Sequence, residues 1–154
     1  MSQILDTPAH RTPLRRRVPA HAAVTAARLI AHLAPRRIVS VLGVLRRGAV
    51  PATAAQALRA RDDVTGSSTL CAGKYCLQRS LATALLCRMR GTWPTWCSGV
   101  RTPPFAAHAW VEAEGRPVGE PPDTASYRTL LSVPPEPAPL AATADRTRSP
   151  QGRP

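Results

Sequence analysis

Apolar residues recur at helical spacing through the first half of the chain. From Ala20 to Leu33, Val24, Ala27, Ile30 and the Leu29/Leu33 pair return every turn, and Pro35 stops the run. From Arg36 to Arg47 the set Ile38, Val41, Leu42 and Leu45 predicts a second helix, which Gly48 closes. Thr53 with Gln56 three residues on is a capping-box pattern, opening a third helix through Leu58 to about Arg61, with Asp62 and Asp63 beginning the exit. A loop rich in Gly and Ser follows. Cys76 to Arg90 then carries Leu77, Leu81, Ala84 and Leu85 on one stripe and ends at Gly91. Beyond it the period changes. Pro, Trp, Thr and Val dominate residues 93 to 103, and residues 105 to 120 read as two short strands around Glu114-Gly115. Helices first and an antiparallel sheet afterwards make an α+β fold.

Composition sets the limits of that domain. Prolines crowd the stretch after Val133, and Arg15-Arg16-Arg17 closes a segment with few large apolar residues. The expected organisation is a disordered basic tail over residues 1 to 17, a folded domain over 18 to 133 and a disordered Pro-rich tail over 134 to 154. The net charge of +12 invites a nucleic-acid reading, but Lys74 stands alone among 21 basic residues that are otherwise Arg. Zinc-finger spacing, Arg/Gly repeats and RNA-binding aromatic patterns are missing, so nucleic acid is not expected as a partner. Nor is a membrane, because the apolar runs are too short to span one. The twin Arg before an Ala-rich stretch has a superficial likeness to an export signal, but His21, Arg28 and His32 interrupt it. A cytoplasmic protein with reduced thiols is expected, with no cofactor and no metal. The spacings of Cys71, Cys76, Cys87 and Cys97 lack the paired pattern of a zinc site, and no phosphate-binding Gly loop is present.

The chemistry gathers around Cys76. At the first turn of a helix, unpaired backbone N–H groups and the helix dipole favour an anion and lower a thiol's pKa. Cys87 lies about 16 Å further along the axis, too far to act beside it. Of the four histidines, only His108 lies in a strand downstream of the Cys-bearing helix, so it is the candidate base. His108 and Trp110 share one strand face; Ala109 and Val111 share the other, which faces the core. A three-residue loop Ala113-Glu114-Gly115 would pair Glu112 with Arg116 and set His108 opposite Glu120, with Cβ atoms about 5 Å apart. A two-residue turn would instead place Pro121 there and point Glu120 away. Taken singly, each residue has a plainer role: a packed Cys, a structural strand His, a solvated edge Glu.

The stretches Cys76-Leu77-Gln78-Arg79-Ser80-Leu81-Ala82, Leu85-Leu86-Cys87-Arg88, Gly99-Val100-Arg101-Thr102 and Phe105-Ala106-Ala107-His108-Ala109-Trp110-Val111-Glu112 together resemble lasso peptide leader peptidases. The likeness covers about residues 65 to 133 and includes a Cys to His interval of 32. It implies a transglutaminase/papain-like cysteine protease core and removal of the leader from a ribosomally made precursor peptide, after which a lasso cyclase closes the macrolactam. Cys76 would be the nucleophile, His108 the base and Glu120 the residue that orients the imidazole. Family members are usually described with Asp as the third residue, which leaves Asp123 as the alternative to Glu120. Fused members carry a small winged-helix-like recognition module, whereas residues 18 to 62 read as helices, so a separate leader-recognition protein is expected as partner. Trp93 and Trp96, if exposed, would offer a peptide contact. Two other readings use the same residues: a transamidase, in which an amine captures the acyl-enzyme, and a non-enzymatic basic binding module.

Overall fold

The computed structural model describes residues 14–68, 71 and 75–137. Helix α1 spans Leu14–Ala31, α2 Pro35–Leu45, α3 Ala54–Ser67 and α4 Cys76–Met89. The strands are β1 (Val50–Pro51), β2 (Thr92–Trp93), β3 (Thr95–Arg101), β4 (Ala106–Ala113), β5 (Arg116–Pro117) and β6 (Arg128–Val133), with a 3₁₀ turn at Pro122–Ser126. The fold is α+β, with the helices ahead of a small antiparallel sheet of order β5-β4-β3-β6. A separate two-stranded parallel pair joins β1 to β2.

Helix α4 is the axis of the domain. Ser80 through Cys87 are buried without a break, so the helix is enclosed on every side, by α1 and α3 on one side and β4 on the other. Small residues let those helices come close: Ala20, Ala23 and Ala27 of α1 and Ala57 and Ala60 of α3 meet Leu81, Ala84 and Leu85 in one core. Trp93 and Trp96 fill the space between helices and sheet, both essentially unexposed. Their indole N–H groups are satisfied, Trp93 donating to the Val133 carbonyl at 3.1 Å and Trp96 to Ser80 Oγ at 3.0 Å. Burying each such ring contributes roughly 4–6 kcal/mol. Both are core, so the exposure on which a peptide contact depended is not met and the plainer packing role of Trp holds.

Several boundaries move. Helix α1 begins at Leu14, four residues ahead of the expected domain start at Val18, and runs through Pro19. Leu29, expected on its buried stripe, is 69% exposed. Residues 1–13 and 138–154 of the expected tails lie outside the described residues. The Thr53 capping box is present, Gln56 N–H donating to Thr53 Oγ1 and Thr53 N–H to Gln56 Oε1. Helix α3 does not exit at Asp62-Asp63, however. Asp63 is buried and takes the guanidinium of Arg90, an ion pair that ties the continued helix to the end of α4. At that same end, Arg88 donates to the Leu45 and Arg47 carbonyls and so fastens α2 to the core.

The hairpin that matters for function also departs from expectation. Glu112 pairs with Pro117 and Ala113 with Arg116, so the turn is Glu114-Gly115, two residues rather than three. Both take left-handed backbone, φ 55 and φ 75, the geometry that matches the twist of the flanking strands. The ladder continues to Val118, whose N–H donates to the Val111 carbonyl at 3.0 Å, and then stops.

Candidate active site

Cys76 is the first residue of α4. Its preceding residue, Tyr75, makes no side-chain cap on the first turn. Ser80 to Cys87 anchor the rest of the helix in the core, which makes this end a rigid mount. The sulfur hydrogen-bonds to the His108 ring and accepts the backbone N–H of Ala109, the next residue of β4. Burial alone would push the thiol up. The His108 hydrogen bond, the Ala109 N–H, the imidazolium charge and Arg79 together outweigh it and bring the thiol below its ordinary value. His108 shows the counterpart: burial opposes its charge, but hydrogen bonds to Cys76 and Glu120 and their negative charge raise it to about 9. A lowered thiol beside a raised imidazole shifts the balance toward the thiolate–imidazolium pair.

The other three cysteines differ. All four are free. Burial raises the Cys71 thiol, lifts Cys87 to about 11, and with the Glu112 charge lifts Cys97 to about 12. These are thiols that pack; Cys76 is the one prepared to react. Among the described residues no group of three or more His, Cys, Asp or Glu is placed to hold a metal.

Glu120 reaches the imidazole in spite of the two-residue turn. In register, residue 121 would face His108, but β5 ends at Pro117, the last ladder hydrogen bond is at Val118, and Gly119 takes φ 64, which swings the chain and aims Glu120 inward. Its Oε2 lies 2.8 Å from His108 Nε2, which leaves Nδ1 as the ring nitrogen for Cys76. The Glu120 side chain is only 3% exposed. Two guanidiniums attend it, Arg61 Nε 3.5 Å from Oε1 and Arg79 3.6 Å from Oε2. Asp123, the alternative acid, is more than half exposed and pairs with Arg101 at 2.9 Å. The structure thus brings Cys76, His108 and Glu120 together and leaves Asp123 outside.

Aromatic rings hold the imidazole in place. Trp110 stacks on it at 5.8 Å between centroids, 13° from parallel, and Tyr127 tilts against it at 5.3 Å. Trp110 is pinned by its own N–H to Glu112 Oε1 at 2.8 Å, and Arg101 lies over the Tyr127 ring. Arg61, Arg79, Gly119 and Tyr127 were not singled out from sequence. Arg79 sits three residues after Cys76, a spacing that puts both on one side of a helix, so a signal for it existed. Arg61 carried none beyond its place in a capped helix.

The arrangement is a nucleophile at a helix N-terminus, a base and a carboxylate orienter in hydrogen-bonded series. It suits acyl transfer from a carbonyl substrate through a thioester. The family model of the Transglutaminase-like superfamily matches residues 20–132, which takes in α4, the sheet short of Val133, the last residue of β6, and all three of these residues. No curated protein and no solved structure matches the chain.

Proposed function

We propose, because the chain belongs to the transglutaminase-like superfamily, whose members are typically cysteine-dependent enzymes, that it is a cysteine peptidase removing the leader from a ribosomally made lasso precursor peptide. The observation that carries this is the buried series Cys76, His108, Glu120, with the thiol lowered and the imidazole raised. The resemblance of the segments around Cys76 and His108 to lasso leader peptidases supplies the substrate class.

In the reaction the Cys76 thiolate adds to the scissile carbonyl, and the oxyanion forms at the N-terminal end of α4, where the helix dipole favours negative charge. His108, already protonated, gives its proton to the leaving amine as the C–N bond breaks, freeing the core peptide. Water then adds to the thioester, His108 takes its proton, and the C–S bond breaks to release the leader carboxylate. Glu120 keeps the ring oriented and offsets the imidazolium charge. The free amine made in the first half is the group that a cyclase joins to a side-chain carboxylate.

A separate recognition protein presents the leader in this reading. Helices α1 and α3 pack directly on α4 as part of the peptidase core, which accords with leader binding by a partner that raises its local concentration. The test is incubation of the chain with precursors encoded nearby, with and without neighbouring gene products, followed by mass spectrometry. Free leader supports hydrolysis, and a leader carrying an added amine supports transamidation instead. Cys76→Ala should abolish release, a loss of about 10⁶ in rate. Substantial release by folded Cys76→Ala protein would overturn the mechanism.

A further inference from the structure

Glu120 lies beyond the last hydrogen bond of its hairpin, so the sheet does not hold it on His108. Its place depends on side chains. Arg61 of α3 touches this segment twice. Its head faces Oε1 of Glu120 at 3.5 Å, and its stem lies against Gly119, where a Cβ would come within 2.8 Å of Cδ and 3.0 Å of Nε. Gly119 is the residue that swings the chain out of register and delivers Glu120. One buried side chain, 8% exposed, therefore backs both the bend and the carboxylate.

We propose that Arg61 is a positioning residue that acts on His108 through Glu120, holding the carboxylate on Nε2 rather than merely balancing its charge. The inference rests on the reading of His108 as base and Glu120 as its orienter. It names a part of the machinery that lies outside the segments carrying the family resemblance.

Two effects of removing Arg61 oppose each other, and their sign separates positioning from charge. As a bare positive charge near the imidazolium, Arg61 disfavours protonation, so its loss would raise the His108 pKa. As a support, its loss frees the carboxylate to leave Nε2, and the His108 pKa falls toward its ordinary value. The other charged groups that face the imidazole are Cys76 and Arg79 from α4 and Glu120 itself, with Arg101 of β3 acting across Tyr127. All of them are unchanged by the substitution.

The experiment is an NMR titration of the His108 imidazole in the full chain and in Arg61→Gln. The expected result is a midpoint lower by about one to two pH units, as befits a displaced carboxylate. In a Glu120→Gln background, Arg61→Gln should lower it no further. A midpoint that holds or rises overturns the proposal, as does an equal further fall in the Glu120→Gln background. Should Arg61→Gln not fold, Arg61→Lys retains the charge without the long planar head; a smaller fall is expected, and none would overturn the proposal. The titration needs no substrate. A fall in the midpoint alongside a parent chain that cleaves no precursor would refute the peptidase reading and leave the positioning role standing, while cleavage with an unmoved midpoint would do the reverse.

Discussion

Replacing Gly119 by Ala tests the site where backbone and chemistry meet. Gly119 has φ 64, and an L side chain there costs about 1–2 kcal/mol. The new Cβ would also lie 2.8 Å from Arg61 Cδ and 3.2 Å from Cζ, closer than carbon atoms tolerate, so the guanidinium must retreat from Glu120. Disturbing a charge-assisted contact on a buried carboxylate adds about 1–3 kcal/mol. At about 4 °C per kcal/mol for a domain of this size, the unfolding midpoint should fall by roughly 8–20 °C. Gly115→Ala is the matched control: its φ of 75 carries the same strain, but nothing lies within 4 Å of its Cβ. Calorimetry and precursor cleavage on both variants separate the effects. Gly115→Ala should lose only the backbone increment and keep its turnover, whereas folded Gly119→Ala should lose at least about tenfold in kcat/KM, one part of what an orienting carboxylate can supply. Equal midpoints and equal turnover in the two variants would refute the link from Gly119 through Arg61 to Glu120.

Other expectations follow from the same geometry. The pH profile of kcat/KM should be bell-shaped, with a lower limb below the ordinary thiol value and an upper limb near 9, where His108 loses the proton the leaving amine needs. The stability arising from protonated His108, whose folded value is raised, is fully present below about 6.5 and is lost as pH rises through about 9, which thermal unfolding across that range will reveal. Glu120→Gln should lower turnover by up to about 10⁴ in a folded protein while Asp123→Asn changes it little, and steady-state kinetics giving the opposite order would move the orienter to Asp123. Cys87→Ala and Cys97→Ala should cost about 1–3 kcal/mol in denaturant unfolding and leave cleavage by the folded protein unchanged.

The helices were legible because their signals are local. Apolar spacing marked α2 and α4, and the Thr53-Gln56 pair fixed the start of α3. What failed depended on partners distant in sequence. Asp63 reads as an exit signal until Arg90 arrives to pair with it, and Leu29 reads as buried until the Ala face of α1 is seen to lie against α4. The hairpin is the instructive case. A three-residue loop with Gly115 in its left-handed position sets Glu120 opposite His108, which is what the sequence reading supposes. The strand twist favours the two-residue turn enough to hold Glu114 at φ 55, and Gly119 then restores by a bend what the register took away. Glu120 was thus identified through a pairing that does not exist. Its two guanidiniums were invisible, because an excess of Arg gives no means of telling the buried ones from the solvated ones.

The charges around Glu120 also suggest why such a cluster is tolerated. Burying ions costs several kcal/mol each, and a buried ion pair returns that only in part, so stability is a poor reason for placing Arg61 and Arg79 on a carboxylate that is 3% exposed. Chemistry is a better one. Two guanidiniums against one carboxylate leave a single positive charge, and the Cys76–His108 pair adds none, whether as thiol and imidazole or as thiolate and imidazolium. The proton can therefore pass between them without changing the charge of the cluster, and Arg79 adds to the His108 and Ala109 hydrogen bonds and the imidazolium charge that bring the thiol down despite its burial. When a substrate carbonyl becomes an oxyanion, that charge is the one it meets. A lone carboxylate behind His108 would have raised the imidazole equally well but left the site with one net negative charge, both at rest and at the oxyanion intermediate. In the proposed mechanism Arg61 and Arg79 would hold the orienter in place and also set the sign of the field in which an acyl transfer would take place.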